Sequence, residues 1–313
     1  MNDETAYLTP KLQVRRSFEQ AAQHYDHAAV LQREVCNRMF ERLDYIKHQP
    51  GTILDAGSGT GYGTRQLTAR YPQARIVALD LALSMLQVAR QHTPWWQRRL
   101  SFVASNRVNY VCADWERLPL PANSVEMIWS NLTLQWCDLE RSVKEAQRVL
   151  KTGGLFMFST FGPDTLQELR NAFHGLDGHT HVNRFIDMHD VGDCLSHGGF
   201  ADPVMDMEKI TMTYPDVATL LSDLKAIGAH NVTQGRRPGL MGKTAWRSML
   251  QRYEALRNNG KLPATYEVVY GHAWKAQPRA LEDGRQIIEF RPGGSTLGVR
   301  PAGSTLGVGQ ARR

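Results

Sequence analysis

One short segment constrains the fold more than any other. Thr52-Ile53-Leu54-Asp55 reads as an apolar strand, and it runs directly into Ala56-Gly57-Ser58-Gly59-Thr60-Gly61. Alternate glycines let a backbone turn sharply and let a ligand approach closely. In open α/β sheets, ligands bind at such carboxyl ends of strands. A phosphate-binding loop would need Gly-Lys-Ser/Thr at its end, and no lysine lies in this turn. A dinucleotide fingerprint would need a third glycine at position 62, which is Tyr62. The turn therefore matches neither nucleotide loop, and Asp55 adds a carboxylate that can attract a cationic group.

The surrounding pattern supports an α/β sheet. Arg75 to Asp80, Asn109 to Cys112, Val125 to Asn131 and Leu155 to Phe161 are further strand candidates. Helical stretches separate them at Thr64 to Tyr71, Ser84 to Gln91 and Glu140 to Leu150, the last stopped by Lys151-Thr152-Gly153-Gly154. Strands alternating with helices imply βαβ units and a mostly parallel sheet. Upstream, Phe18, Ala21, Ala22, Tyr25 and Ala29 recur at helical spacing, which predicts one amphipathic helix over Arg15 to Ala29, followed by another over Val30 to Ile46. Downstream, Val191 to Ser196, Asp216 to Ile227 and Lys243 to Leu256 read as helices, and Val204 to Tyr214 and Thr265 to Trp274 as strands. A Gly- and Arg-rich loop spans Gly228 to Gly242. Near the end, RPGGSTLGV and RPAGSTLGV stand in tandem, at Arg291 to Val299 and Arg300 to Val308. Two copies are too few for a solenoid, so a flexible appendage is expected.

Composition narrows the function classes. With 313 residues, 42% hydrophobic and 22% charged, the chain can fold around its own core without staples. Its four cysteines are widely spaced, which fits a reducing compartment and argues against a zinc ribbon. Met1 to Pro10 has no apolar signal-like stretch, and no run suits a membrane helix. A cytoplasmic protein with no membrane partner is expected. The net charge of +6 favours acidic partners but is modest for a nucleic-acid binder, so no nucleic-acid partner is expected. His179, His181 and His189 lack helix-spaced pairing and nearby cysteines, so no metal site is expected.

Polar groups recur at the strand ends. Asp80 ends the second strand about 25 positions after Asp55, where an acidic residue grips ribose hydroxyls in nucleotide-binding folds. Asp114 comes after the third strand and can accept from an exocyclic amine, while Trp115 can flank a purine ring. Asn131 ends the fourth strand. Four consecutive strand tips thus face one cleft, and their agreement in order and spacing carries more weight than any one of them.

At these residues the chain resembles the class I S-adenosylmethionine-dependent methyltransferases. The resemblance rests on LDAGSGTGYGT, VALDLA, ADWERLP and SNLTLQW and covers about Gly51 to Thr160. It implies a Rossmann-like α/β fold: a seven-stranded sheet with a reversed last hairpin and helices on both faces. The chain is expected to divide into an N-terminal helical lid over 1–50, a methyltransferase core over 51–275 with a helical insertion at about 215–262, and a flexible repeat-containing tail over 276–313. The resemblance implies S-adenosyl-L-methionine as cofactor, with Asp55, Gly57, Gly59 and Gly61 at its methionine end and Asp80 on the ribose hydroxyls. Leu81 would lie against the adenine, Asp114 and Trp115 would bracket it, and Asn131 and Leu132 would approach the sulfonium.

The residues at the end of the fourth strand narrow the acceptor. Ser130-Asn131-Leu132 stands where amide and exocyclic-amine methyltransferases carry Asn/Asp-Pro-Pro-Tyr. RRSFEQAAQHYDHAAVLQREV, SNLTLQWCDL, RFIDMHDVGDCLSHGGFADPVMDMEKITMTY, LKAIGAHN, LMGK and LPATYEVVYGHAW together resemble the malonyl-acyl-carrier-protein O-methyltransferases of biotin synthesis, over about Val14 to Trp274. That implies methylation of the free carboxylate of a malonyl thioester on acyl carrier protein, or on coenzyme A. Another small acid, a quinone precursor, or a non-catalytic assembly role are the alternatives. A carboxylate is ionised at neutral pH and needs orientation rather than a base. Tyr25 is expected to lid the cofactor pocket and touch that carboxylate. Arg15, Arg16, Arg33, Arg236, Arg237, Lys243 and Arg247 are expected to flank the cleft and steer an acidic carrier.

Overall fold

A computed structural model describes residues 10–92, 107–229, 239 and 241–277. The strands are β1 (Thr52–Ala56), β2 (Arg75–Asp80), β3 (Val108–Cys112), β4 (Val125–Ser130), β5 (Leu150–Phe161), β6 (Phe200–Tyr214) and β7 (Leu262–Lys275). They form one sheet in the order β3-β2-β1-β4-β5-β7-β6. The first five run parallel; β7 inserts antiparallel between β5 and β6. This is the class I methyltransferase sheet, with its last hairpin reversed.

Ten α-helices accompany the strands among the described residues. They are α1 (Lys11–Ala21), α2 (Tyr25–Ala28), α3 (Val30–Arg42), α4 (Tyr62–Arg70), α5 (Leu83–Gln91), α6 (Leu139–Val149), α7 (Gln167–Phe173), α8 (Met188–His197), α9 (Val217–Ala226) and α10 (Lys243–Glu254). Adjacent strand residues point to opposite faces. Ile53, Met127, Trp129 and Leu155 join a core with Val35, Met39 and Leu67. Their neighbours Leu54, Ile128 and Phe156 join a second core with Val143, Ala146 and Leu195. Both faces are thus covered, which is why the central strands read as apolar runs rather than alternating ones.

The structure departs from the sequence reading in four places. The stretch over Arg15 to Ala29 is broken into α1 and α2, because Asp26 is tied to the glycine turn: Thr60 Oγ1 donates to Asp26 Oδ1 at 2.5 Å. A tertiary contact there overrides a helical pattern. Lys151 to Gly154, read as a helix stop, belongs to β5, with Gly153 at φ +73°. The strand expected from Val204 begins at Phe200, and an irregularity between Ala201 and Val204 holds Asp202 at φ +49°. Helix α7 has no counterpart in the sequence reading. The tandem repeat lies outside the described residues, as do Arg236 and Arg237.

The inserted β7 depends on one glycine. Gly271 pairs with Phe158 on β5 and Met205 on β6. A Cβ at position 271 would lie 2.3 Å from the Phe158 ring and 2.9 Å from Met205 Sδ. The Phe158 ring therefore fills the space a side chain would take, deep in the core. Overpacking a well-filled core costs about 1–3 kcal/mol. Gly271→Ala is accordingly expected to lower unfolding stability by about that amount in a urea titration. An unchanged midpoint would show that the ring relaxes freely.

Candidate active site

The glycine turn is held in place by the end of β2. The N–H groups of Gly57 and Ser58 both donate to the Leu79 carbonyl, at 2.8 and 2.9 Å. The Gly59 N–H donates to Asp80 Oδ2 at 2.9 Å, and the Ala82 N–H donates to Asp80 Oδ1 at 2.8 Å. Gly57 sits at φ +76°, and a Cβ there would meet Thr133 Oγ1 at 2.1 Å. Only glycine lets the β1 turn pack against the loop after β4. At Gly59, φ +54°, a Cβ would meet nothing within 4 Å, so the backbone faces open space.

That space is a pair of adjoining hollows at the strand tips, enclosing about 800 Å³ and about 450 Å³. They share walls at Tyr25, Gln32, Gly57, Gly59 and Asn131. Asp80, Leu81, Asp114, Trp115 and Leu132 line the larger one, and Asp55 lines the smaller. The structure therefore brings ten of the eleven sequence-selected residues to these hollows. Gly61 lines neither: it stands at the start of α4 with φ +81°, its α-carbon facing Ala89 on α5.

A buried carboxylate, Asp55, and a half-buried one, Asp80, dominate the electrostatics. Asp55 accepts from Thr64 Oγ1 at 2.6 Å. Burial pushes its carboxyl up to about 7; Thr64 restrains the rise and Asp80 adds to it. Burial likewise pushes Asp80 up to about 6, against the pull of its backbone N–H partners. A buried carboxylate next to another is costly to ionise, and a cationic or hydroxyl-bearing ligand offsets that cost. Asp114 caps the short turn Trp115–Arg117 by accepting from the Glu116 N–H at 3.1 Å. It also pairs with Lys11 at 3.2 Å.

The loop after β4 is strained. Leu132 holds φ +49°, which costs a branched residue on the order of 1–3 kcal/mol. Its N–H donates to Ser159 Oγ at 3.0 Å, and Ser159 Oγ donates to Asn131 Oδ1 at 3.0 Å. Asn131 Nδ2 donates to the Gln32 carbonyl on α3 at 2.9 Å. These bonds over-determine the loop and so hold the strained residue at the hollow.

The N-terminal helices form the outer wall. Tyr25 opens α2, reaches both hollows and packs with Ala21, Ala22 and Met85. Sequence reasoning did not assign Lys11, Phe18, Asp26, Gln32 or Trp136 to the site. Phe18 and Trp136 meet edge to face at 5.4 Å. The available signal was the apolar face of the first helix, which gives a buried side but not its partner. Arg15 pairs with Glu19 at 2.9 Å, and the Arg33 guanidinium donates to the Asp26 carbonyl. His181 Nε2 lies 2.9 Å from Asp177 Oδ1, and His189 Nδ1 lies 2.8 Å from Asp187 Oδ1. Among the described residues, no group of three or more His, Cys, Asp or Glu is placed to hold a metal ion. No described helix is long and apolar enough to cross a membrane.

The hollows suit a polar, partly cationic nucleotide. Gln32 Oε1, Ser58 Oγ and Trp129 Nε1 are buried around the smaller one, and Trp115 Nε1 is buried beside the larger, each without a hydrogen-bond partner among the described residues. Buried polar atoms normally have partners, and a bound ligand would supply them. With Asp55 and Asp80, they place acceptors and donors around both hollows.

Comparison with known proteins agrees with this geometry. A family described as "Methyltransferase domain" matches residues 54–158. A malonyl-acyl-carrier-protein O-methyltransferase from Gallionella capsiferriformans is 59% identical over 284 residues, covering 90% of this chain and 97% of its own. One from Nitrosospira multiformis is 59% identical, covering 87% and 92%. The crystal structure of the YcgJ protein from Bacillus subtilis shares the fold, with a TM-score of 0.54 at 16% identity over 77% of this chain and 99% of that one. From its glycine turn to its reversed hairpin, the chain belongs to the malonyl-acyl-carrier-protein O-methyltransferase family and is a methyltransferase.

Proposed function

We propose that the chain transfers a methyl group from S-adenosylmethionine to the free carboxylate of a malonyl thioester on acyl carrier protein, giving a methyl ester that primes pimeloyl and biotin synthesis. The observation that carries the reading is a pair of carboxylates, the buried Asp55 and the half-buried Asp80, on adjacent strand tips of a chain 59% identical to enzymes named for this reaction. A cytoplasmic setting is consistent with four free cysteines.

Bound in the hollows, S-adenosylmethionine would supply an electrophilic methyl group on a sulfonium. Asp80 is positioned to accept from the ribose hydroxyls, beside the Gly59 N–H it already holds. Leu81, Asp114 and Trp115 form the adenine end. Asp55, Gly57 and Gly59 form the methionine end, while Gly61 acts one step back by starting α4. Asn131 and Leu132 face the reacting centre. A malonyl carboxylate has an ordinary value near 4, so no residue needs to remove a proton from it. The work left to the protein is alignment and exclusion of water. Tyr25 closes the outer wall and donates its phenol to the reacting carboxylate. Burial, then Asp80 and Asp26, push that phenol up, with Arg33 opposing, so it stays a neutral donor.

Mass spectrometry of malonyl-acyl carrier protein after incubation with the enzyme and S-adenosylmethionine is expected to show one added methyl group. Mild ester hydrolysis should remove it. A carrier of unchanged mass would refute the reaction.

Donor binding should track the two carboxylates. Both folded values are raised above the unfolded value of 3.8, so the unliganded fold holds protons more tightly than the unfolded chain. Its stability is therefore greatest below that value and falls as pH rises to about 7. Affinity for the cationic donor runs the other way, rising as Asp80 and then Asp55 ionise. Calorimetry from pH 5 to 8 is expected to show this opposition. Asp80→Asn should weaken S-adenosylhomocysteine binding by about tenfold or more, the cost of losing charged hydrogen bonds. A pH-independent affinity would contradict the assignment.

Tyr25→Phe is expected to lower kcat by about tenfold, the worth of one hydrogen bond to a charged group. Its affinity for S-adenosylhomocysteine should stay within about twofold. Equal turnover in the variant would leave Tyr25 as packing alone.

A further inference from the structure

A third hollow, enclosing about 710 Å³, adjoins the larger donor hollow through Trp136, Phe161, Ile227 and Ala229. Its remaining walls come from α7, the 181–185 segment and α9. Leu166, Leu169, Val182, Phe185 and Leu224 make it mostly apolar. Two of its polar wall groups are committed to the fold: Thr165 Oγ1 donates to the Glu267 carbonyl at 3.1 Å, and the His181 ring stacks on Phe173 at 4.0 Å with Nε2 on Asp177, while Asn183 and Tyr266 add further polar atoms to the lining. Lys225, exposed near the end of α9, gives it a cationic edge.

Building on the acceptor reading above, we infer that this third hollow is the channel for the phosphopantetheine arm of the malonyl thioester, with Lys225 meeting the phosphate at its outer end. The acceptor carboxylate must arrive beside Asn131 and Leu132, which line the donor hollow. The thioester behind it must leave by a connected route, and Phe161 and Trp136 form the wall common to both spaces. The arm is a thin chain with methylenes and a gem-dimethyl group along its length. Between these segments it carries two amides and a hydroxyl; the apolar walls take its alkyl surface, and Asn183 and Tyr266 are the lining side chains its polar groups can turn toward. The arm ends in a phosphate whether it is carried by protein or by coenzyme A, and an exposed ammonium is a suitable point charge for it.

The test is calorimetry of pantetheine and 4′-phosphopantetheine against enzyme saturated with S-adenosylhomocysteine. The phosphorylated arm should bind about fivefold more tightly, the scale of one exposed charged contact. Lys225→Ala should erase that difference and leave pantetheine binding unchanged. Leu221→Trp, at a partly buried position on the same wall, should abolish binding of both while leaving S-adenosylhomocysteine affinity within about twofold. Kinetically, Lys225→Ala should raise KM for malonyl-carrier protein and for malonyl-coenzyme A with kcat unchanged. A phosphate preference that survives Lys225→Ala overturns the inference. So does arm binding that survives in a folded Leu221→Trp protein, or a KM effect confined to the carrier protein. Should neither arm compound bind the wild-type enzyme, the channel assignment falls. If the arms bind as expected but no malonyl ester forms, the reaction reading falls and the channel stands.

Discussion

The fold depends on a backbone amide meeting a side-chain carboxylate. Gly59 N–H donates to Asp80 Oδ2, and beside it two further amides of the turn converge on the Leu79 carbonyl. These bonds cross from the tip of β1 to the tip of β2, so neither loop can move independently. They fix where Gly59 opens into the hollow, and they also explain why Asp80 tolerates burial. The same carboxylate is thus structural and available. Two backbone donors leave lone pairs on each of its oxygens, since a carboxylate offers about four acceptor positions.

The sequence made the sheet side of the site legible and left the lid side mostly hidden. Asp55, Asp80, Asp114 and Asn131 stand at strand ends, and strand ends can be found from alternation and glycine. Where those tips converge is dictated by parallel pairing alone. Tyr25 could be placed on an apolar face, but the break between α1 and α2 that aims it depends on Asp26 reaching Thr60, 34 positions away. No local pattern encodes that contact. Lys11 is similar: its pairing with Asp114 and Glu116 walls the larger hollow on the Asp114 side across a long stretch of chain. The reversed hairpin came from family resemblance, and Gly271 supplies its physical reason, visible only once Phe158 is seen lying over it.

Leu132 illustrates a different limit. A left-handed leucine violates local preference, and nothing in SNLTLQW announces it. The strain persists because Ser159, Asn131 and Gln32 form one bonded chain from β5 through the β4 loop to α3. That chain links α3 to the Leu132 end of the larger hollow. A displacement of α3 must therefore either break the Asn131–Gln32 bond or carry the strained loop with it. The position of the outer wall and the conformation of the strand-tip loop are thus coupled, which suits a transfer between two bound molecules that must exclude water.

The charges impose an ordering on the two ligands. As Asp80 and Asp55 ionise, an anionic acceptor entering beside them would be repelled, whereas a cationic donor is attracted to the same groups. Donor first, acceptor second is then the favourable sequence, because the sulfonium nucleotide neutralises what the malonyl group would otherwise face. Transfer removes both charges at the centre at once: the acceptor becomes a neutral ester and the sulfur a neutral thioether. The hollow keeps its carboxylates but loses the cation that balanced them. The attraction that assembled the complex is therefore weakened by its own reaction, and in the role proposed for it Tyr25, a neutral phenol, leaves no ion pair to hold the product in place. An arginine in that position would bind the substrate carboxylate more tightly, but it would stabilise the charge that the transition state must lose and slow the transfer.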